Sequence, residues 1–194
     1  MKKIVLVLFL FSCNNPSDKK TALEYYVKIG THLTKVNSEV QNTNNMILKL
    51  FNLVIESDTV DNNQLVETNN AVISLIVLIE DQKQYISNIP DINSEENIKE
   101  SSLVLLDKLL VVEKNKVPKF IKLISSKNES DKDRAKNIAN EIFSSLQKAN
   151  KQAQSSEEKF WNEFGIDGND LNAFYKENGI KVTAQKTIGG IDKK

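Results

Sequence analysis

The chain is poor in the residues on which most protein chemistry depends. Among 194 residues there are one cysteine (Cys13), one histidine (His32), six glycines and three prolines. A single cysteine excludes an internal disulfide, a paired-thiolate metal knuckle and a haem-attachment motif. Six scattered glycines make no glycine-rich loop for phosphate. A lone histidine excludes the two Glu-x-x-His motifs of the di-iron four-helix bundles, so an iron or other metal centre of that type is not expected. Charge of one sign is missing too. The 26 Lys+Arg equal the 26 Asp+Glu, and Arg134 is the one arginine, so there is no positive field to meet nucleic acid. What is left is 40% apolar residues in a length suited to one ordinary domain.

The N-terminus reads as an export signal. Lys2 and Lys3 precede an apolar run, Ile4 to Phe11, which ends in Ser12-Cys13-Asn14-Asn15. Eight residues at ~1.5 Å each span ~12 Å as a helix, well short of the ~30 Å of hydrocarbon in a bilayer, so the run is no permanent membrane span. Leu10-Phe11-Ser12-Cys13 resembles the lipobox of bacterial lipoproteins: a branched apolar residue three before the cysteine and a small residue just before it. The resemblance covers only these first 13 residues. It implies that signal peptidase II removes residues 1–12 and that Cys13, as the new N-terminus, carries diacylglycerol and an N-acyl chain. No other cofactor is expected. Two or three acyl chains hold a protein durably to a membrane, at ~0.8 kcal/mol per buried CH₂. Lipoprotein sorting reads an Asp after the cysteine as an inner-membrane signal. Here the position is Asn14, which points to the outer membrane of a two-membrane bacterium. An ordinary secretory signal is the competing reading.

After a polar tether over 13–20, apolar residues recur at helical spacing through 21–180, and 181–194 has no period and reads as a flexible tail. Thr21-x-x-Glu24 predicts a capping box opening a helix from about Thr21 to Ser57, with Leu23, Tyr26, Gly30, Leu33, Val40, Ile47, Phe51 and Val54 on its stripe. A second helix opens at Asp61 and ends before Pro90, its stripe being Leu65, Val72, Leu75, Ile79 and Ile86. A third runs from near Ser94 to about Lys127, and Pro118 splits or kinks it near 114–117. A fourth starts at Ser130 or Asp131 and carries Ala135, Ile138, Ile142, Leu146, Ala149, Ala153, Phe160 and Phe164. Ala71–Ile79 and Leu103–Val111 are apolar almost all round, which suits burial on more than one side; their β-branched content also allows a strand pair. As a helical hairpin they mirror each other about residue 91, and the fourth helix folds back about Glu129. Gly165-Ile166 and Gly179-Ile180 read as left-handed caps, with a short fifth helix from about Asn169 to Asn178 between them. The fold expected is all-α: an elongated up-down-up-down four-helix bundle with a short C-terminal fifth helix.

Candidate chemistry is sparse. No Gly-x-Ser-x-Gly elbow accompanies His32. Asp167-Gly168-Asn169-Asp170 fails the calcium-loop template at Leu171 and Asn172 and reads as a helix cap. Glu157 and Glu158, adjacent on a helix, point ~100° apart and read as a solvated face. Asn37, Asn44 and Asn69 fall on or beside the apolar stripes, where buried amides fix register. The remaining candidates are aromatic. Tyr25, Tyr26, Phe160, Trp161, Phe164, Phe174 and Tyr175 lie at the two ends of the chain, which an up-down bundle brings to one end. There they either seal the core or form a ligand pocket or protein-partner contact. The chain therefore reads as a lipid-anchored, non-catalytic envelope protein, a binding or structural module. A carrier of a small apolar ligand near Trp161 and an unrecognised hydrolase using His32 are the alternatives.

Overall fold

Runs of apolar residues spaced three or four apart become helices wherever the computed structural model describes the chain, over residues 16–57, 61–126 and 128–180. The leader, Cys13 and the stretch 181–194 lie outside these residues. The elements are α1 (Pro16–Ser57), α2 (Asn62–Ser87), α3 (Ile98–Val111), a π-helical turn (Val112–Lys116), α4 (Val117–Ile124), α5 (Glu129–Phe164) and α6 (Gly168–Glu177). Among the described residues there is no strand, so Ala71–Ile79 and Leu103–Val111 are helical. No described helix is long and apolar enough to cross a membrane.

Local chemistry sets the helix ends. Asp61 caps α2 by accepting from the Asn63 N–H at 3.0 Å, and Asn128 caps α5 by accepting from the Ser130 N–H at 3.1 Å. At Asp167 a reciprocal capping box with Asp170 opens α6. Gly165 (φ 61°) and Gly179 (φ 63°) adopt the left-handed conformation that side chains resist. Beyond them the Ile166 and Ile180 N–H groups reach back to the Trp161 and Tyr175 carbonyls, both at 2.8 Å. Two starts differ from the sequence reading. α1 is already helical at Pro16, the first described residue, so Thr21 is interior to the helix and not a cap. α3 opens at Ile98, because the Asn97 side chain accepts from the Glu100 N–H at 2.9 Å; Ser94 belongs to the connection before it.

The core follows one stripe of each helix. On α1 it is Ala22, Tyr25, Ile29, Val36, Val40, Thr43 and Leu50, with Tyr26, Leu33, Ile47 and Phe51 half-buried at its margin. Thr43 of α1 and Thr68 of α2 are among the buried polar residues, whereas Asn44 and Asn69, one position on, are exposed. One residue is ~100° of helix, so these asparagines stand outside the core and fix no register there. α2 buries Val72, Leu75, Ile79 and Ile86 as its spacing predicts.

Pairs between helices set their levels. α1 packs on α2, α2 on α3, and α3 and α4 on α5. Lys116–Glu141 (3.2 Å) and Lys159–Glu96 (3.7 Å) place α5 within about a turn of the mirror about Glu129. The mirror about residue 91 fails. Lys83 pairs with Asp107 where that mirror puts Lys99, and Glu80 pairs with Lys114 where it puts Ser102. The connection is the reason: Lys99 reaches back to the Ile89 carbonyl at 3.0 Å and to Asp91 at 2.8 Å, drawing the start of α3 level with the loop. Ala71–Ile79 thus lies beside the π-turn, and Val72 shares a core cluster with Val112 and Val117. Nor are the two apolar blocks buried all round, because Ile73, Val77, Val104 and Val111 stay exposed.

Candidate functional site

The seven aromatic residues of the two chain ends do meet. Phe160 is fully buried, its ring centroid 6.2 Å from Tyr25 and 4.9 Å from Phe164. Trp161 meets Tyr26 edge-on at 5.5 Å. From α6, Leu171, Phe174 and Tyr175 pack on the same cluster, and Lys19–Asp170 (2.7 Å) ties α6 to the start of α1. Aromatic contacts of this kind contribute ~0.5–1.5 kcal/mol beyond the area they bury.

The polar atoms of these rings are mostly satisfied. The Tyr26 hydroxyl donates to Glu157, so Glu157 is part of the cluster and not a solvated face. Burial first, and the Glu157 charge second, raise the Tyr26 and Tyr175 hydroxyls above the ordinary tyrosine range. The Tyr25 hydroxyl donates to Asp91 at 3.3 Å, and burial together with that carboxylate pushes it up to about 12. Asp91 in turn is held below the usual carboxylate range, chiefly by its bond to Lys99. The Trp161 indole N–H is buried without a hydrogen-bond partner.

A second device holds the same end together. Glu163, near the end of α5, accepts from the Ser94 hydroxyl at 2.8 Å and from the Glu95 and Glu96 N–H groups at 2.8 and 3.2 Å. One carboxylate thus caps the α2–α3 connection from another helix. Charge-assisted bonds of this type are stronger than neutral ones. Nothing in the sequence marked Glu163, since its partners lie far off along the chain.

His32 sits apart from the aromatic end. Its Nδ1 is 2.7 Å from the Gln82 side-chain oxygen and its ring stacks on Tyr85 at 5.4 Å. Among the described residues no three His, Cys, Asp or Glu side chains gather to share an ion. Cys13 lies outside the described residues.

The sequence reading missed Glu113. It is 1% exposed, burial alone pushes its carboxyl up to about 7, and its Oε2 has no hydrogen-bond partner. A signal for it was present. Leu106, Leu109, Glu113, Val117, Phe120 and Ile124 are spaced by three or four, which puts one carboxyl on an otherwise apolar stripe.

Against protein-family profiles, curated proteins and solved structures alike, the chain finds no significant match.

Proposed function

We propose that this chain is a lipid-anchored, non-catalytic helical-bundle protein of the bacterial cell envelope, a binding or structural module held by acyl chains on Cys13. The observation that carries the reading is the Leu10-Phe11-Ser12-Cys13 motif behind a short apolar leader. The described part of α1 runs 42 residues, ~63 Å. The helices form an up-down-up-down bundle. In support, Tyr26 of early α1 meets Trp161 of late α5, His32 of early α1 meets Tyr85 of late α2, and Phe51 of late α1 meets Phe120 of α4.

In this arrangement the aromatic cluster lies at the membrane-proximal end, closed by α6. Tight ring-on-ring packing around the fully buried Phe160 favours a sealed core there over a ligand pocket. Metabolic labelling with a palmitate analogue in a lipoprotein-processing bacterium tests the anchor. Wild-type protein takes up label and partitions with membranes, and Cys13→Ser does neither. Label retained by Cys13→Ser refutes the assignment.

A further inference from the structure

The third rod contains a group that the aromatic end does not use. Glu113 is the one ionisable residue on its inward stripe, 1% exposed, with Oε2 unpartnered. Besides α3 and α4, the elements packed against its turn are α2 and α5. The charges these bring nearby are already engaged: Glu80 of α2 pairs with Lys114, and Glu141 of α5 pairs with Lys116 at 3.2 Å. On α3, Asp107 pairs with Lys83 of α2. None of these charges shifts Glu113, whose perturbation comes from burial alone. α1 lies alongside too. Tyr25 bonds Asp91 and Phe51 meets Phe120, so α1 runs beside the third rod at an offset of 66 to 69 residues. Thr43 falls within about a turn of Glu113 on that offset, and its Oγ1 is likewise buried and unpartnered.

The backbone at this level is irregular. Residues 112–116 form a π-turn in which the Val117 N–H donates to the Val112 carbonyl, and Pro118 follows, with no N–H to give. A π-turn holds one residue more than the α-helix around it, so it can shift without unwinding either neighbour. Above it the core of Phe120, Ile121 and Ile124 docks α4. An ionised carboxylate in such a place is strongly disfavoured against a neutral carboxyl, and the lysines of its own turn are engaged with Glu80 and Glu141.

We infer that Glu113 and the π-turn form a proton-operated latch. With the carboxyl neutral, the turn stays wound inward and α4 stays docked. When the proton passes to water, the turn swings the carboxylate out to solvent and loosens α4 from α1 and α5. Lys114 and Lys116 of the same turn pair with Glu80 of α2 and Glu141 of α5 through partly exposed bridges, which resist the motion little.

Hydrogen exchange followed by mass spectrometry on the full chain, at pH 6 and pH 8, tests the latch once rates are corrected for the chemical effect of pH. In wild type, amides of 112–124 are expected to exchange at least tenfold faster at pH 8, with those of 16–50 unchanged, and Glu113→Gln is expected to abolish the difference. Equal protection at both pH values overturns the latch, as does a change spread over the whole chain. Should Glu113→Gln fail to fold, a carboxyl-carbon NMR titration of wild type decides. A Glu113 midpoint above pH 6 that coincides with the midpoint of the exchange change in 112–124 supports the latch, and any other midpoint overturns it.

Discussion

Replacing Phe160 by alanine removes the ring that joins α1 to the end of α5. The side chain is fully buried, in ring contact with Tyr25 at 6.2 Å and with Phe164 at 4.9 Å. Truncating a buried Phe costs about 3–5 kcal/mol. Two ring contacts of ~0.5–1.5 kcal/mol each put this site in the upper part of that range, about 4–5 kcal/mol. Domains of this size are stable by about 5–15 kcal/mol, so the variant keeps only a margin. At about 2–4 °C per kcal/mol, its Tm falls by roughly 8–20 °C. Urea unfolding read by circular dichroism and by the fluorescence of Trp161, the single tryptophan, measures the loss. The two probes should share one midpoint, with the m-value near that of wild type. A loss below about 1.5 kcal/mol with m unchanged would refute the packed-core account and return these rings to the status of an open binding surface.

Two more outcomes follow from buried or bridging carboxylates. Glu163→Ala strips the α2–α3 connection of three donors' partner, so stability should drop by about 1–3 kcal/mol and the connection should be cut faster by glutamyl endopeptidase; an unchanged cleavage rate argues against the clasp. Glu113 gives a pH signature of definite sign. Its folded pKa is raised, to about 7 from 4.5, so its contribution is fully present below about pH 4.5 and declines as the pH rises through 7. At ~1.36 kcal/mol per unit the decline totals about 3 kcal/mol. Unfolding curves of wild type and Glu113→Gln, taken at pH 5 and pH 8, should show their difference moving by this order in favour of the variant; a constant difference contradicts the burial argument.

Features written in local chemistry were legible before the structure. Gly165 and Gly179 end helices because a left-handed residue is cheap only for glycine, and Pro118, with no N–H, follows the π-turn that interrupts the α-helical bonding of the third rod without ending it. The stripe of α2 was readable because Val72, Leu75, Ile79 and Ile86 recur at helical spacing, even though Thr68 and Gln82 lie buried on it as well. Choices among several local solutions were harder. Thr21 lies inside α1, and Asn97 took the start of α3 from Ser94, since either side chain can cap a first turn. The α2–α3 register was hidden because Lys99 folds the connection back, a contact with no mark in hydrophobic spacing. The aromatic meeting was foreseen from chain topology, whereas the Glu157 and Glu163 contacts to Tyr26 and to residues 94–96 depend on tertiary placement alone.

The bond between Lys19 and Asp170 brings the last described helix back to where the first begins. A reporter fused after residue 180 therefore rides close to the chain's N-terminal helix, whereas one inserted between α4 and α5 stands a full length of α5 away, ~54 Å. Placing a fluorophore at each of these two points gives a ruler for orientation, since in an anchored population only the near one should be quenched by a lipid-borne acceptor.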